Sequence, residues 1–407
     1  MKHIAFLALV FFLPNSGVRA QSDVFFSRHF KEVEIPFEYH NDLIIVTVTF
    51  NRIFPLKFIF DTGAEHSILA QRQITDLLHV SYDREFKLLG SDLQTELTAY
   101  LVRSVHLKVG DWIVGNRPIL VLDDDYFRFE ELTGREIHGI LGSDIFRHFV
   151  VKINYSRRII TLTKANEFEP PRDYRELAIK IHRGKPYLDT YVEIFGDTAT
   201  NVRLLMDSGA STSLLLYTDT SPELKLPPNT IKGQLGMGLG GFLEGYLGRV
   251  NTLGVGELEM KDVITNFHEV NHGADTTLLF DRNGILGNKV MSRFYIIFDY
   301  PRERLFLKPN KYFKEKFEFD KSGLVLLATG VRLNQIRVHD VIEGSPADEA
   351  GVKPGDVIVR ANSLPSSFMT VEYMHNLLSK RQGKRIRLVL LRNGEKLKVS
   401  FRLRKLI

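Results

Sequence analysis

Apolar and polar positions alternate with a period of two through much of the chain. Leu56, Phe58 and Phe60 share one face of a stretch that ends at Asp61, and Val202, Leu204 and Met206 share one face of a stretch that ends at Asp207. Such alternation predicts half-buried β-strands, with each Asp at a strand end on the face opposite the apolar one. Gly63 and Gly209 follow two residues later and permit a sharp turn. Further along, Gly139-Ile140-Leu141-Gly142 and Gly284-Ile285-Leu286-Gly287 each lead into a short helical stretch, Ser143 to Phe149 and Asn288 to Phe294. Strands are expected next, at Val150 to Tyr155 and Tyr295 to Tyr300. Few long helical patterns lie between these blocks, so the expected fold class is mainly β.

The blocks form an internal repeat. Asp61-Thr62-Gly63-Ala64 matches Asp207-Ser208-Gly209-Ala210 at an offset of 146, and Ser67 matches Ser213. The Gly-Ile-Leu-Gly blocks match at 145, and the match continues through Phe149 and Phe294, Tyr155 and Tyr300, and Arg157 and Arg302. Two blocks in one order at nearly one offset indicate two copies of one fold. Pro170-Pro171 with charged neighbours marks a linker between them. The expected division is residues 1–20 as a leader, 21–170 and 171–318 as two lobes, and 319–407 as a third domain.

The paired motifs resemble the aspartic peptidases, specifically the retropepsin-like group with Asp-[Thr/Ser]-Gly-Ala. The resemblance spans about residues 33–310. It implies two homologous β lobes with the active site between them, assembled here within one chain, so that a monomer suffices. It implies Asp61 and Asp207 as the catalytic dyad: two close carboxyls share one proton, the ionised one acting on a bound water and the protonated one on the scissile carbonyl. Thr62 and Ser208 would hydrogen-bond across the lobes, and Gly63 and Gly209 would let backbone N–H groups approach the dyad. Ile140-Leu141-Gly142 and Ile285-Leu286-Gly287 take the place of the family's apolar-apolar-Gly element. Each lobe would carry a flap, with Leu89, Gly90, Ser91 and Asp92 at the first tip and Gly238, Gly240 and Gly241 in the second. Ala64 and Ala210 stand where pepsin-like members often carry Ser, which predicts a less acidic pH optimum. Gly236 to Gly241 also matches G-x-G-x-x-G, but no strand–turn–helix surrounds it, so a mobile loop is the better reading than a dinucleotide site.

Residues 320–407 have a different texture. Gly344-Ser345-Pro346-Ala347, Ala350-Gly351-Val352 and Pro354-Gly355-Asp356-Val357-Ile358 resemble a PDZ domain of the bacterial protease-associated type. A helix is expected at Thr370 to Ser379, with closing strands at Ile386 to Leu391 and Lys396 to Leu403. The resemblance implies an α+β fold that takes an extended peptide as an added strand. Its carboxylate-binding loop would map near Gly323, Leu324, Val325 and Leu326. The basic residues Lys396, Lys398, Arg402 and Arg404 alternate with Leu397, Val399, Phe401 and Leu403, the pattern of a strand with a solvated basic face.

Composition narrows the chemistry. The chain has no cysteine, which excludes disulfides, zinc–thiolate sites and a cysteine nucleophile. The 13 His residues show no H-E-x-x-H spacing, so neither metal nor cofactor is expected. A formal charge of +5 is too mild to imply nucleic acid. Lys2 and His3, the apolar run Ile4 to Leu13 and Val18-Arg19-Ala20 read as a secretory signal that leaves Gln21 as the new N-terminus. Ten apolar residues are too few for a span, so the expectation is an exported protein, periplasmic or secreted, without stable membrane insertion.

The expected function is an aspartic endopeptidase acting on peptide or protein substrates, with a PDZ domain that binds a C-terminal peptide ligand. One rival is an inactive peptidase scaffold that acts through the PDZ domain. Another is a serine peptidase, since Asp207-Ser208-Gly209 resembles the nucleophile segment of the trypsin-like group. That rival leaves the duplicated Asp-Thr-Gly unexplained.

Overall fold

The structure, a computed structural model, describes residues 31–90, 96–196, 198–238, 241–269 and 282–407. The leader and its cleavage site lie outside the described residues. The architecture is two mainly β lobes and a C-terminal α+β domain, with strands where the sequence alternates.

The lobes share a floor. Strands Phe149–Asn154 and Phe294–Asp299 run antiparallel, with Ile153 opposite Ile296 and Val151 opposite Phe298. Each pairs on its outer side with the next strand of its own lobe, Ile159–Lys164 or Arg304–Pro309. Arg175–Ala178 forms one edge of this floor, and on the other side Glu32–Pro36 pairs before its strand continues into the first lobe's sheet. Each half contributes three strands to this floor, and a pseudo-twofold axis passes between the two central ones. Val151, Ile153, Ile296 and Phe298 are fully buried in a cluster that draws residues from both lobes. Burial of apolar area at about 25 cal/mol per Å² therefore holds the lobes together, and the repeat supplies it twice.

Above the floor each lobe presents its Asp in the same way. Phe54–Phe60 runs parallel to Gly139–Leu141, Phe60 opposite Leu141, and Ala199–Asp207 runs parallel to Gly284–Gly287, Asp207 opposite Gly287. The strand before Asp61 departs from simple alternation, since Ile59 is as buried as Phe58 and Phe60. It lies between two apolar clusters, one of which holds Ile59 with Ile45, Ile68 and Ile140. The helices after Gly142 and Gly287 are shorter than the sequence suggests. They span Ser143–Phe146 and Asn288–Met291, because the chain must turn back into the floor at Phe149 and Phe294.

The C-terminal domain has its own core, built around Leu326, Val338, Ile358, Met374 and Leu388. Its helix spans Val371–Leu378 and is capped by Thr370, whose hydroxyl accepts from the Tyr373 N–H at 3.0 Å. The closing hairpin pairs Arg385–Arg392 with Glu395–Arg402. Lys396, Lys398, Arg402 and Arg404 are exposed, while Phe401 and Leu403 are buried.

Candidate active site

The two strand ends bring Asp61 and Asp207 together at the lobe interface. Each carboxyl is held by the loop that follows it. Asp61 Oδ1 accepts from the Gly63 N–H at 2.7 Å and the Ala64 N–H at 3.0 Å, and Asp207 Oδ1 accepts from the Gly209 N–H at 2.8 Å. The glycines are needed for space. A Cβ on Gly63 would lie 2.5 Å from Asp207 Cγ, and one on Gly209 would lie 2.5 Å from Asp61 Cγ. Real Cβ atoms do not approach carbon that closely, so each glycine makes room for the other lobe's carboxyl. The two carboxyls meet over this pair of glycines, both from one chain.

Beneath them Thr62 and Ser208 cross the interface reciprocally. Thr62 Oγ1 donates to the Met206 carbonyl at 2.7 Å and accepts from the Ser208 N–H at 3.0 Å. Ser208 Oγ donates to the Phe60 carbonyl at 2.7 Å and accepts from the Thr62 N–H at 3.0 Å. Both side chains are 0% exposed. All four backbone groups at the crossing are thereby satisfied, which a buried interface demands. These bonds tie the residues before and after each Asp to the opposite lobe.

The electrostatics follow from burial and proximity. Burial pushes the Asp61 carboxyl well above the usual carboxylate range, and the neighbouring Asp207 charge adds to it, against the pull of the Gly63 and Ala64 N–H groups. Burial also raises Asp207, opposed by its hydrogen bond with Asp61, the Gly209 N–H and the positive charge of Arg282. Two carboxyls this close do not both ionise cheaply. The pair holds one proton well above the ordinary carboxylate range and titrates as a unit.

Asn288 is a site residue that sequence reasoning passed over. Its Nδ2 donates to the Ser208 carbonyl at 3.0 Å and to the Asp42 carbonyl at 2.8 Å, while its Oδ1 accepts from the Tyr155 hydroxyl. It thus fastens the second dyad loop to the first lobe's hairpin. The counterpart contact is made by the Arg183-Gly184 turn of the second lobe. Arg183 pairs with Glu65 at 2.7 Å, and Gly184 packs against Ser143 and Arg147. The equivalent position to Asn288 is Ser143, whose shorter side chain leaves its hydroxyl unpaired among the described residues. No alternation or turn signal marks this difference. The one clue was the Tyr155 and Tyr300 pair in the repeat.

The expected flaps fall on two β-hairpins. Arg84–Leu89 pairs with Glu96–Val109, Leu89 opposite Glu96, and Ile231–Gly238 pairs with Gly241–Val255, Gly238 opposite Gly241. Gly90 is described, but Ser91, Asp92 and Gly240, at the expected tips, lie outside the described residues. Among the described residues no cluster of His, Cys, Asp and Glu is arranged to hold a metal, and no helix is long and apolar enough to cross a membrane.

The proposed carboxylate-binding stretch of the C-terminal domain, Gly323, Leu324, Val325 and Leu326, opens the edge strand Leu324–Thr329. Its first amides are already engaged: the Gly323 N–H donates to Asp320 Oδ1 at 2.6 Å and the Leu324 N–H to Ser322 Oγ at 3.2 Å. The groove beside this strand is also covered. The first-lobe helix Phe129–Thr133 packs against both Leu324–Thr329 and the helix Val371–Leu378. A Cβ on Gly134 would lie 3.6 Å from the Ala328 Cβ. Nearby, the His40 ring faces Glu372 at 3.3 Å, and Asn41 Nδ2 donates to the Leu132 carbonyl at 2.9 Å. The third domain is therefore docked on the first lobe through the face that borders its groove.

Comparison with known families agrees with this geometry. The family model described as aspartyl protease matches residues 46–145 and 190–290, one segment in each lobe. The model described as PDZ domain matches residues 337–392. No curated protein matches the chain. The chain thus carries an aspartyl protease domain of retropepsin-like plan in two segments, one per lobe, followed by a C-terminal PDZ domain.

Proposed function

We propose that the protein is an active aspartic endopeptidase. The observation that carries this reading is the meeting of two buried carboxyls, Asp61 and Asp207, each aligned by its own loop and each given space by the other lobe's glycine. With one proton between them, the pair can supply both halves of peptide hydrolysis. The ionised carboxyl takes a proton from water as the water oxygen bonds to the scissile carbonyl carbon. The protonated carboxyl gives its proton to the carbonyl oxygen, forming a neutral gem-diol. Return of a proton to the amide nitrogen as the C–N bond breaks releases an amine and an acid.

The serine peptidase reading loses its basis. Ser208 Oγ is sealed in the interface and donates its proton to the Phe60 carbonyl, so it is not available as a nucleophile. The test of the peptidase reading is digestion of a mixed peptide library by the full chain, beside Asp61→Asn and Asp207→Asn. Cuts made by the wild type and lost in both variants support it. A wild type that cuts nothing would favour the scaffold reading.

For the PDZ domain we propose binding of peptide partners in competition with the helix Phe129–Thr133. The covered groove supports this, since an added strand needs the same face. Gly134 and Ala328 offer a clean lock, because their 3.6 Å Cβ separation suits a disulfide and the chain has no cysteine of its own. The double variant Gly134→Cys, Ala328→Cys is expected to cross-link under oxidation and then to lose binding of a C-terminal peptide library, with reduction restoring it. Equal binding by the oxidised and reduced forms would refute the competition. Gly134 has φ of +67°, so the Cys there costs about 1 kcal/mol in both redox states and does not bias the comparison.

A further inference from the structure

Both lobes open with the same hairpin, and its register can be followed to the dyad. The turns are Asn41-Asp42 and Arg183-Gly184, with φ of 48° and 60° in the first and 51° and 74° in the second. The residue after each turn is Leu43 or Lys185, paired back to His40 or His182. Ile45 lies opposite Ile59 in the first lobe, and Tyr187 opposite Leu205 in the second. Continued two residues past these last paired positions, the same register sets Leu43 level with Asp61 and Lys185 level with Asp207. The positions are equivalent and the side chains are not. Leu43 is 5% exposed and packs with Ile45, Ile59 and Ile68. The second lobe has a cation in that place.

Lys185 is unusual in what surrounds it. It is half-buried, and no hydrogen bond or ion pair holds its ammonium among the described residues. Burial lowers its pKa, as does the nearby Arg282, while Glu65 and Asp207 favour its charge. Arg282 donates to the Tyr217 hydroxyl at 3.2 Å and leaves its Nε buried and unpaired among the described residues. Arg183 is spoken for by Glu65. Among the described residues, Glu65 and one charge on the monoprotonated dyad stand against these three cations, which leaves one positive charge in excess. A poorly solvated, unpaired ammonium is costly, and an incoming anion relieves that cost.

We infer that Lys185, with Arg282 beside it, forms a subsite on the second lobe for an acidic side chain, Asp or Glu, of a peptide bound next to the scissile bond. The inference rests on the peptidase reading and deepens it by naming a substrate class. At the matching place the first lobe has only the buried Leu43 and so offers an acidic side chain no partner. The cleft is therefore asymmetric in charge, and a peptide with an acidic residue on the second-lobe side of the cut suits it best.

The test uses sets of peptides that differ only in Glu, Gln or Leu at one position near the cut, with the wild type, Lys185→Leu and Lys185→Arg. A charge-assisted contact predicts kcat/KM for Glu over Gln of at least about 10-fold in the wild type, carried mainly by KM. Lys185→Leu is expected to remove that ratio and Lys185→Arg to keep most of it. An equal rate for Glu and Gln peptides in the wild type, or a ratio that survives Lys185→Leu, overturns the inference and leaves the peptidase reading intact. If Lys185 acted only by tuning the dyad, its loss would change all peptides alike, and the surviving ratio would reveal it. Failure of the wild type to cut any peptide overturns the peptidase reading itself, and this inference with it.

Discussion

Asp61→Asn and Asp207→Asn are each expected to lower kcat for peptide cleavage by on the order of 10⁴-fold. Either substitution leaves a single carboxyl, which cannot take a proton from water and protonate the scissile carbonyl at the same time. The carboxyls act as one unit, so the double variant should lose no more than a single one. The fold should survive. An Asn at 61 still offers Oδ1 to the Gly63 and Ala64 N–H groups, and its amide can donate to Asp207 in place of the shared proton. Burial raises both carboxyl pKa values, so replacing one by a neutral amide removes a desolvation cost. Thermal unfolding near the wild-type temperature, together with lost cleavage, separates a chemical defect from a structural one.

Ser208→Ala carries the largest expected effect on stability. It strips the partner from the Phe60 carbonyl and from the Thr62 N–H, two groups with no access to water. A buried group left unsatisfied costs about 1–3 kcal/mol, so the variant should lose roughly 2–5 kcal/mol. The loosened crossing also lets the lobes shift, and a shift of about 1 Å in the dyad is enough to cost on the order of 100-fold in rate. Ser208→Thr should recover most of both losses, because Thr62 makes the same bonds at the matching position. A Ser208→Ala protein as stable as the wild type would show that the crossing is not what fastens the lobes. Complete loss of activity without loss of stability would instead revive a direct chemical role for Ser208.

Much of this site could be read from short segments, because its main parts are local. Asp61 and Asp207 announce themselves through the strand before them, the glycine after them and the repeat that holds both. The PDZ helix and closing hairpin were legible within a residue or two for the same reason: capping and alternation are local signals. What escaped was set by contacts between distant segments. Asn288 and Ser143 occupy equivalent places, but only the longer side chain spans to Asp42 and Ser208. Lys185 escaped because the repeat changes its spacing. The dyad blocks match at 146, whereas Leu43 and Lys185 stand 142 apart, so the strands joining hairpin to dyad carry extra residues in the second lobe. The covering of the PDZ groove by Phe129–Thr133 is likewise a tertiary fact. Nothing in the alternation of either segment records it.

The pH dependence of peptide cleavage by the full-length protein tests the central claim most directly. Activity requires the dyad with one proton, and burial together with mutual repulsion keeps that proton on well above the ordinary carboxylate range. Loss of that proton as pH rises sets the alkaline limb, and gain of a second as pH falls sets the acid limb. The account predicts a bell with its maximum between about pH 4 and 7, and its absence from both Asn variants. A maximum below about pH 3, or cleavage that persists unchanged in Asp61→Asn or Asp207→Asn, would contradict a shared-proton dyad as the catalytic group.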